Sequence, residues 1–208
     1  MFFIYQIILT FLLILSPIII FFRILKNKED KKRYIEKFSF PSKKRKVGKL
    51  IWFHGASVGE LLSVIPIIKI YEKKKSIDQI LVTSSTLSSS KVFEKYNFKK
   101  TIHQFFPIDH LIFTNKFLQY WKPKIAIFIE SEIWPCMYQT IYKKNIPIIL
   151  LNARLTKKTF NKWRKIYFFS KNIFKKIKVA YPQNDETTNY LQNFKISKIN
   201  QIGNLKFI

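Results

Sequence analysis

The sequence predicts an α/β chain built on a doubly wound parallel sheet, carried behind an N-terminal membrane-anchor helix. Three observations predict it. Short apolar, β-branched runs recur at 49–53, 79–83, 124–129, 146–151 and 178–181. Longer mixed segments that read as helices lie between them, near 57–75, 86–96, 110–121, 133–144, 157–176 and 185–193. The first 22 residues contain no charged side chain.

Taken in order, residues 1–22 come first. A helix of that length just spans a hydrocarbon core of ~30 Å. A signal peptide would carry positive charge before the apolar run and a small-residue cleavage site after it, and neither is present. Pro17 kinks such a helix at a cost that membrane helices tolerate. Arg23, Lys26, Lys28, Lys31, Lys32 and Arg33 follow at once, so the positive-inside rule places the remainder on the cytoplasmic side. The alternative is a helix lying in the membrane interface, a monotopic rather than single-pass arrangement. Residues 23–49 form a basic, polar connector with Pro41 and Gly48, read either as a solvated juxtamembrane segment or as one that adheres to anionic headgroups.

Residues 50–208 are the body. Near-continuous apolar strands alternating with helices imply a parallel sheet covered on both faces, a Rossmann-like arrangement, with 198–202 as a last short strand. With 208 residues, 48% of them hydrophobic, the chain can bury a sizeable core and is not disordered.

The charge is +26, from 38 Lys+Arg against 12 Asp+Glu. That predicts polyanionic partners: nucleic acid, an anionic membrane face or a phosphorylated substrate. Only five of the cations are arginines, and Ile, Phe, Asn and Lys are all abundant, so biased genome composition is the competing explanation. The single cysteine, Cys136, excludes an internal disulfide and C-x-x-C metal spacing and suits a reducing compartment.

In doubly wound sheets ligands sit outside the carboxyl ends of the strands, so chemistry is expected just after each run. Those positions hold His54–Glu60, Ser84–Thr86, Glu130–Pro135, Asn152–Thr156 and Gln183–Asn184. Three readings compete for Trp52-Phe53-His54-Gly55-Ala56-Ser57-Val58-Gly59-Glu60. Gly55-Ala56-Ser57-Val58-Gly59 fits the G-x-S-x-G elbow of a serine hydrolase. That elbow needs a later acid and histidine, and only His103 and His110 follow, neither after a strand at the right edge. Ser57-Val58-Gly59-Glu60 fits a capping box in which Ser57 accepts from the Glu60 N–H and Glu60 reaches back to the Ser57 N–H. Gly55 and Gly59, two of only four glycines, argue for something more, because glycine in a first turn costs up to ~1 kcal/mol and permits close approach to the backbone. The third reading makes Glu60 a catalytic base. Glu130-Ser131-Glu132 places two carboxylates at an apolar sheet edge, where raised pKa values suit acid–base work; the competing reading is a helix start that favours acids. Trp134-Pro135 reads as a packed aromatic and a first-turn proline. Arg154 and Lys206 read singly as surface charge, although Gly203 could turn the chain and aim Lys206 at the same edge. Walker A and G-x-G-x-x-G loops are absent, so P-loop and nicotinamide chemistry are not supported.

The segments His54-Gly55-Ala56-Ser57-Val58-Gly59-Glu60, Glu130-Ser131-Glu132-Ile133-Trp134-Pro135, Asn152-Ala153-Arg154-Leu155-Thr156 and Gly203-Asn204-Leu205-Lys206-Phe207 occur in the order and spacing of the 3-deoxy-D-manno-octulosonic acid (Kdo) transferases of lipopolysaccharide synthesis. The chain resembles the N-terminal, acceptor-side domain of that family over its whole length. The resemblance implies a GT-B architecture, with a nucleotide-binding donor domain expected beyond residue 208. It departs from the family at Ile208, where aspartate is usual, and at Cys136, where asparagine is common. It implies inverting transfer of Kdo from CMP-Kdo to a lipid A precursor (lipid IVA) at the cytoplasmic face of the inner membrane. Glu60 would be the proton acceptor, and Glu132 and Lys206 would stabilise the transition state. His54, Gly55, Ser57, Gly59, Glu130 and Arg154 are the acceptor-binding candidates. The implied partners are CMP-Kdo, the lipid precursor and anionic inner-membrane lipids, with no nucleic acid, no metal and no cofactor beyond the donor substrate. The alternative is a membrane-tethered basic protein that binds anionic lipid or nucleic acid without catalysis.

Overall fold

The computed structural model describes residues 1–205. Six parallel strands, β1 (Leu50–His54), β2 (Gln79–Ser84), β3 (Thr101–Phe105), β4 (Ile125–Ile129), β5 (Ile148–Ala153) and β6 (Ile177–Pro182), form one sheet in the order β3-β2-β1-β4-β5-β6. The order reverses between β1 and β4, which makes the carboxyl ends of those two strands the switch point of the sheet. Helices α2 (Val58–Lys73), α3 (Leu87–Glu94), α4 (Leu111–Trp121), α5 (Pro135–Lys143), α6 (Lys157–Lys165), α7 (Tyr167–Phe174) and α8 (Asp185–Asn193) fill the crossovers and the end of the chain.

Alternation along the strands builds two cores. Leu50 and Trp52 of β1 join Phe128, Leu150 and the inner faces of α4, α5 and α7 on one side. Ile51 and Phe53 join Val82, Ile127, Ile129 and the α2 residues Leu61, Val64, Ile65 and Ile68 on the other. Every residue of β1 is buried, as expected for a central strand covered twice.

Three expectations are corrected. The sequence reading had no strand at 101–105. Thr-Ile-His-Gln-Phe lacks the apolar run of its neighbours, yet Thr101, His103, Gln104 and Phe105 are buried. The connector explains this. A 3₁₀ helix at Arg33–Phe38 packs along β3, Glu36 accepts from Phe105 N at 2.7 Å, and Arg33 donates to the His103 carbonyl at 3.0 Å. A segment that reads as solvated thus covers the sheet edge and satisfies one of its free N–H groups and one of its free carbonyls, the usual remedy for an exposed edge. Second, the helix expected across 157–176 divides at Ile166, whose backbone (φ −119°, ψ 44°) leaves the helical region. Third, the strand expected at 198–202 is only an isolated bridge, Ala180 to Ile199.

α1 (Phe2–Leu25) is long and apolar enough to cross a membrane. It also touches the α/β body: the Tyr5 hydroxyl donates to Asp109 at 2.8 Å, Thr10 Oγ1 lies 3.2 Å from His110 Nε2, and Phe2 and Tyr5 pack on Phe169.

Candidate functional site

The carboxyl ends of β1 and β4 bring His54, Glu60, Glu130 and Glu132 together at the switch point. β1 ends on His54, fully buried and stacked on Phe106 with ring centroids 3.8 Å apart. Ser57 then starts α2: its hydroxyl accepts from Glu60 N at 3.3 Å, as the capping motif requires. The return half of the box differs from expectation. The Glu60 carboxylate takes the Ala56 N–H (2.8 Å, Oε2) and the Ser57 hydroxyl (2.9 Å, Oε1) rather than the Ser57 N–H. Glu60 is therefore folded over the start of its own helix.

Gly55 makes that fold possible. A Cβ at this position would stand 3.1 Å from Glu60 Cβ, 3.1 Å from Ile129 Cδ1 and 3.3 Å from Leu61 Cδ2. The close approach anticipated from the paired glycines is, at Gly55, an approach of the protein to itself.

Burial pushes the Glu60 pKa up to about 7, and the negative charge of Glu132 adds to the rise. The Ser57 and Ala56 donors pull it down, and Glu130 contributes a smaller upward push. A carboxyl group poised near neutrality at a sheet edge can exchange protons under cellular conditions.

Glu132 is held by two donors on one oxygen. His54 Nε2 lies 3.1 Å and Trp134 Nε1 2.8 Å from Oε2. A carboxylate only accepts, so Nε2 carries a proton toward Glu132, while Nδ1 lies 3.0 Å from the Thr83 hydroxyl and 3.2 Å from the Thr83 carbonyl. Thr83 in turn accepts from Trp52 Nε1 at 2.9 Å. The chain of bonds from Trp52 through Thr83 and His54 fixes the ring that fixes Glu132. From sequence Trp134 reads as packing alone and nothing marks Thr83; parallel pairing of His54 with Thr83 is what joins them.

Glu130 is buried and has φ +55°, a left-handed conformation that disfavours a side chain with a Cβ. Asn152, buried at the end of the adjoining β5, has φ +53°. Arg154 follows β5, exposed, with its N–H on the Glu130 carbonyl at 3.4 Å. Asn152 Oδ1 accepts from Leu205 N at 3.0 Å, so the backbone immediately before Lys206 reaches this edge. Lys206 itself lies outside the described residues. Gly59 occupies the first turn of α2.

The hydrolase reading fails on chemistry as well as spacing. Among the described residues Ser57 bonds to Glu60 and to no histidine. Ser84 does meet His103 Nε2 at 2.8 Å, but Arg33 donates to Nδ1 at 3.0 Å. Nε2 must then be the protonated nitrogen and cannot take a serine proton. Burial, then Arg33, holds the His103 pKa down at about 3. A cavity of about 630 Å³ lies at the opposite edge of the sheet, between Leu118, Lys122, Lys124, Lys144 and Ile146, away from these carboxylates.

Residues 32–208 match the sequence profile of the family 3-Deoxy-D-manno-octulosonic-acid transferase (kdotransferase). The chain belongs to the Kdo transferase family. It is 37% identical over 200 residues to the 3-deoxy-D-manno-octulosonic acid transferase of Rickettsia bellii, covering 96% of this chain and 48% of that protein. It is 38% identical over 151 residues to a probable mitochondrial 3-deoxy-D-manno-octulosonic acid transferase of Arabidopsis thaliana, covering 71% of this chain and 34% of that one. The chain thus spans between a third and a half of the length of these relatives. Among solved structures, the UDP-GlcNAc 2-epimerase of Neisseria meningitidis superposes with a TM-score of 0.55 at 14% identity, over 76% of this chain and 47% of that one. That likeness concerns the fold alone.

Proposed function

We propose that this chain is the acceptor-side half of an inverting Kdo transferase, with Glu60 as general base. The observation that carries the reading is the Glu60 carboxyl group, held near neutrality by burial and by Glu132 at the switch point of the sheet. Glu60 takes the proton of an acceptor sugar hydroxyl as that oxygen attacks the anomeric carbon of Kdo. The bond from that carbon to the CMP phosphate breaks, CMP leaves with the electron pair, and the configuration inverts. Glu132 stabilises positive charge developing on an oxocarbenium-like sugar, and Lys206 meets the negative charge of the departing phosphate. His54 orients Glu132, while Ser57 and Gly55 set the position of Glu60. Glu130 and Arg154 flank the acceptor, and Gly59 leaves room beside the backbone.

CMP-Kdo is the proposed donor and a phosphorylated lipid A precursor (lipid IVA) the acceptor. The +26 charge suits both the acceptor phosphates and an anionic membrane. α1 would hold the domain at the cytoplasmic face of the inner membrane. A purely basic binding protein would have no use for three carboxylates at one sheet edge, since they oppose anion binding.

The test is Kdo transfer by membranes from cells expressing the gene that encodes this chain. CMP-Kdo and tetraacylated lipid A precursor are supplied, and the product is read by mass spectrometry. The expected result is a Kdo-bearing lipid that Glu60→Gln reduces by about 10²–10⁴-fold, the range for loss of a general base. No Kdo product from wild type, or near-normal turnover in Glu60→Gln, would overturn the proposal.

A further inference from the structure

α5 begins without a capping side chain of its own. Its N-cap residue is Trp134, and Pro135 follows in the first turn. The indole N–H is committed to Glu132, and tryptophan has no side-chain acceptor to offer the helix. The next two N–H groups are among those a helix cannot satisfy internally. Asp109, from the loop between β3 and α4, supplies the missing acceptors. Its Oδ2 takes Cys136 N at 3.1 Å and its Oδ1 takes Met137 N at 2.7 Å. The capping bonds that Ser, Thr or Asp normally makes from the N-cap position are made here from 27 and 28 positions away. The cap position is thereby left to a tryptophan that orients a site carboxylate.

Asp109 is only 4% exposed. A buried carboxylate needs several donors, and the third is remote: the Tyr5 hydroxyl of α1, 2.8 Å from Oδ2. The adjoining residue repeats the tie, with His110 Nε2 3.2 Å from Thr10 Oγ1. The far side of the Glu132 turn is held by α5 itself, because the Tyr138 hydroxyl donates to the Glu132 carbonyl at 2.9 Å. The first turn of α5 is thus the frame for Glu132 and Trp134, and one carboxylate fixes both that frame and α1.

We propose that Asp109 is a positioning residue for Glu132 and that, through Tyr5, it links the Glu132 site to the seating of the N-terminal helix. The assignment of Glu132 to a transfer site rests on the proposed function above; the mechanical link does not. Seating of α1 sets the donor that faces Asp109 Oδ2. Asp109 sets the first turn of α5, and that turn sets the indole and carboxylate at the sheet edge.

The test uses the full chain in detergent micelles, labelled with 5-fluorotryptophan, with the Trp134 resonance identified by its loss in Trp134→Phe. Amide exchange at Cys136 and Met137 is followed by ¹⁵N NMR. Asparagine keeps one acceptor oxygen and places a donor where the other stood, so in Asp109→Asn one of the two amides should exchange about tenfold faster, as expected for a lost cap, and the Trp134 resonance should move. The resonances of Trp52, Trp121 and Trp163 should stay in place, which reports an intact fold. In Tyr5→Phe both capping bonds remain, so amide protection should hold while the Trp134 resonance moves in the same direction by less. In the transfer assay Asp109→Asn should lower kcat roughly tenfold to a hundredfold, as misplacement of a reacting group does, with the donor KM unchanged.

An unmoved Trp134 resonance and unchanged protection in Asp109→Asn would overturn the positioning role. If that variant does not fold, an unmoved Trp134 resonance in Tyr5→Phe overturns the link. Resonance and protection changes as predicted, in a wild type that transfers no Kdo, would support the positioning role and sink only the transferase reading.

Discussion

Replacing Glu60 by glutamine should stabilise the protein at alkaline pH while it removes activity. The carboxyl group stands at about 7 in the folded chain against 4.5 when exposed. Between those values the folded state binds more protons than the unfolded state, so stability falls as pH rises through the window and the loss persists above it. At about 1.4 kcal/mol for each pH unit, the full rise corresponds to roughly 3 kcal/mol. Glu60 is partly exposed, and solvent screening reduces this to about 1–2 kcal/mol. Glutamine retains an acceptor for the Ala56 N–H and a donor for Ser57, so the change isolates the charge. Urea unfolding in detergent, followed by tryptophan fluorescence at pH 4 and pH 8, is the assay. The stability difference between Glu60→Gln and wild type should grow in favour of the variant by about 1–2 kcal/mol from the acid to the alkaline condition. A difference that does not change with pH, or that moves against the variant, would mean that the Glu60 carboxyl group is not raised in the folded chain.

Three further outcomes follow from the same geometry. Glu132→Gln removes the negative charge facing Glu60 and should lower its pKa, read as the midpoint of the Glu60 side-chain carboxyl ¹³C titration; an unmoved midpoint would contradict the coupling. Ser57→Ala removes a bond that favours the ionised form and should move the same midpoint upward, while costing about 1 kcal/mol of stability as a lost cap; a downward shift would count against it. Gly55→Ala places a methyl group 3.1 Å from Glu60 Cβ and Ile129 Cδ1 and should cost about 1–3 kcal/mol by overpacking. Chemical denaturation checks this, and a neutral effect would show that Glu60 can retreat freely.

The parts of the fold legible in the sequence are those in which burial is paid for by apolar side chains. β1, β2, β4, β5 and β6 are marked by such runs. β3 was not, because its buried positions are polar and their partners, Arg33 and Glu36, come from a segment about 70 residues earlier. The break at Ile166 carries no Pro or Gly to announce it. At the site, the rule that chemistry gathers at strand carboxyl ends was enough to bring His54, Glu60, Glu130 and Glu132 into view. The family resemblance then chose among them. What stayed hidden was the support: Thr83 reaches His54 by parallel register, and Asp109 caps a helix from another crossover. Such partners depend on topology rather than on local pattern. The capping box was right about Ser57 and wrong about the carboxylate's return bond, which falls on Ala56 because Gly55 lets Glu60 fold back.

Whether Glu60 is a base held near neutrality is read from the pH dependence of kcat/KM for Kdo transfer in wild type and Glu60→Gln. Wild type should show an acid limb with an apparent midpoint of about 7, and a variant slowed by about 10²–10⁴-fold should lose that limb. A wild-type profile flat from pH 5 to 8, or a variant that keeps both rate and limb, would contradict it.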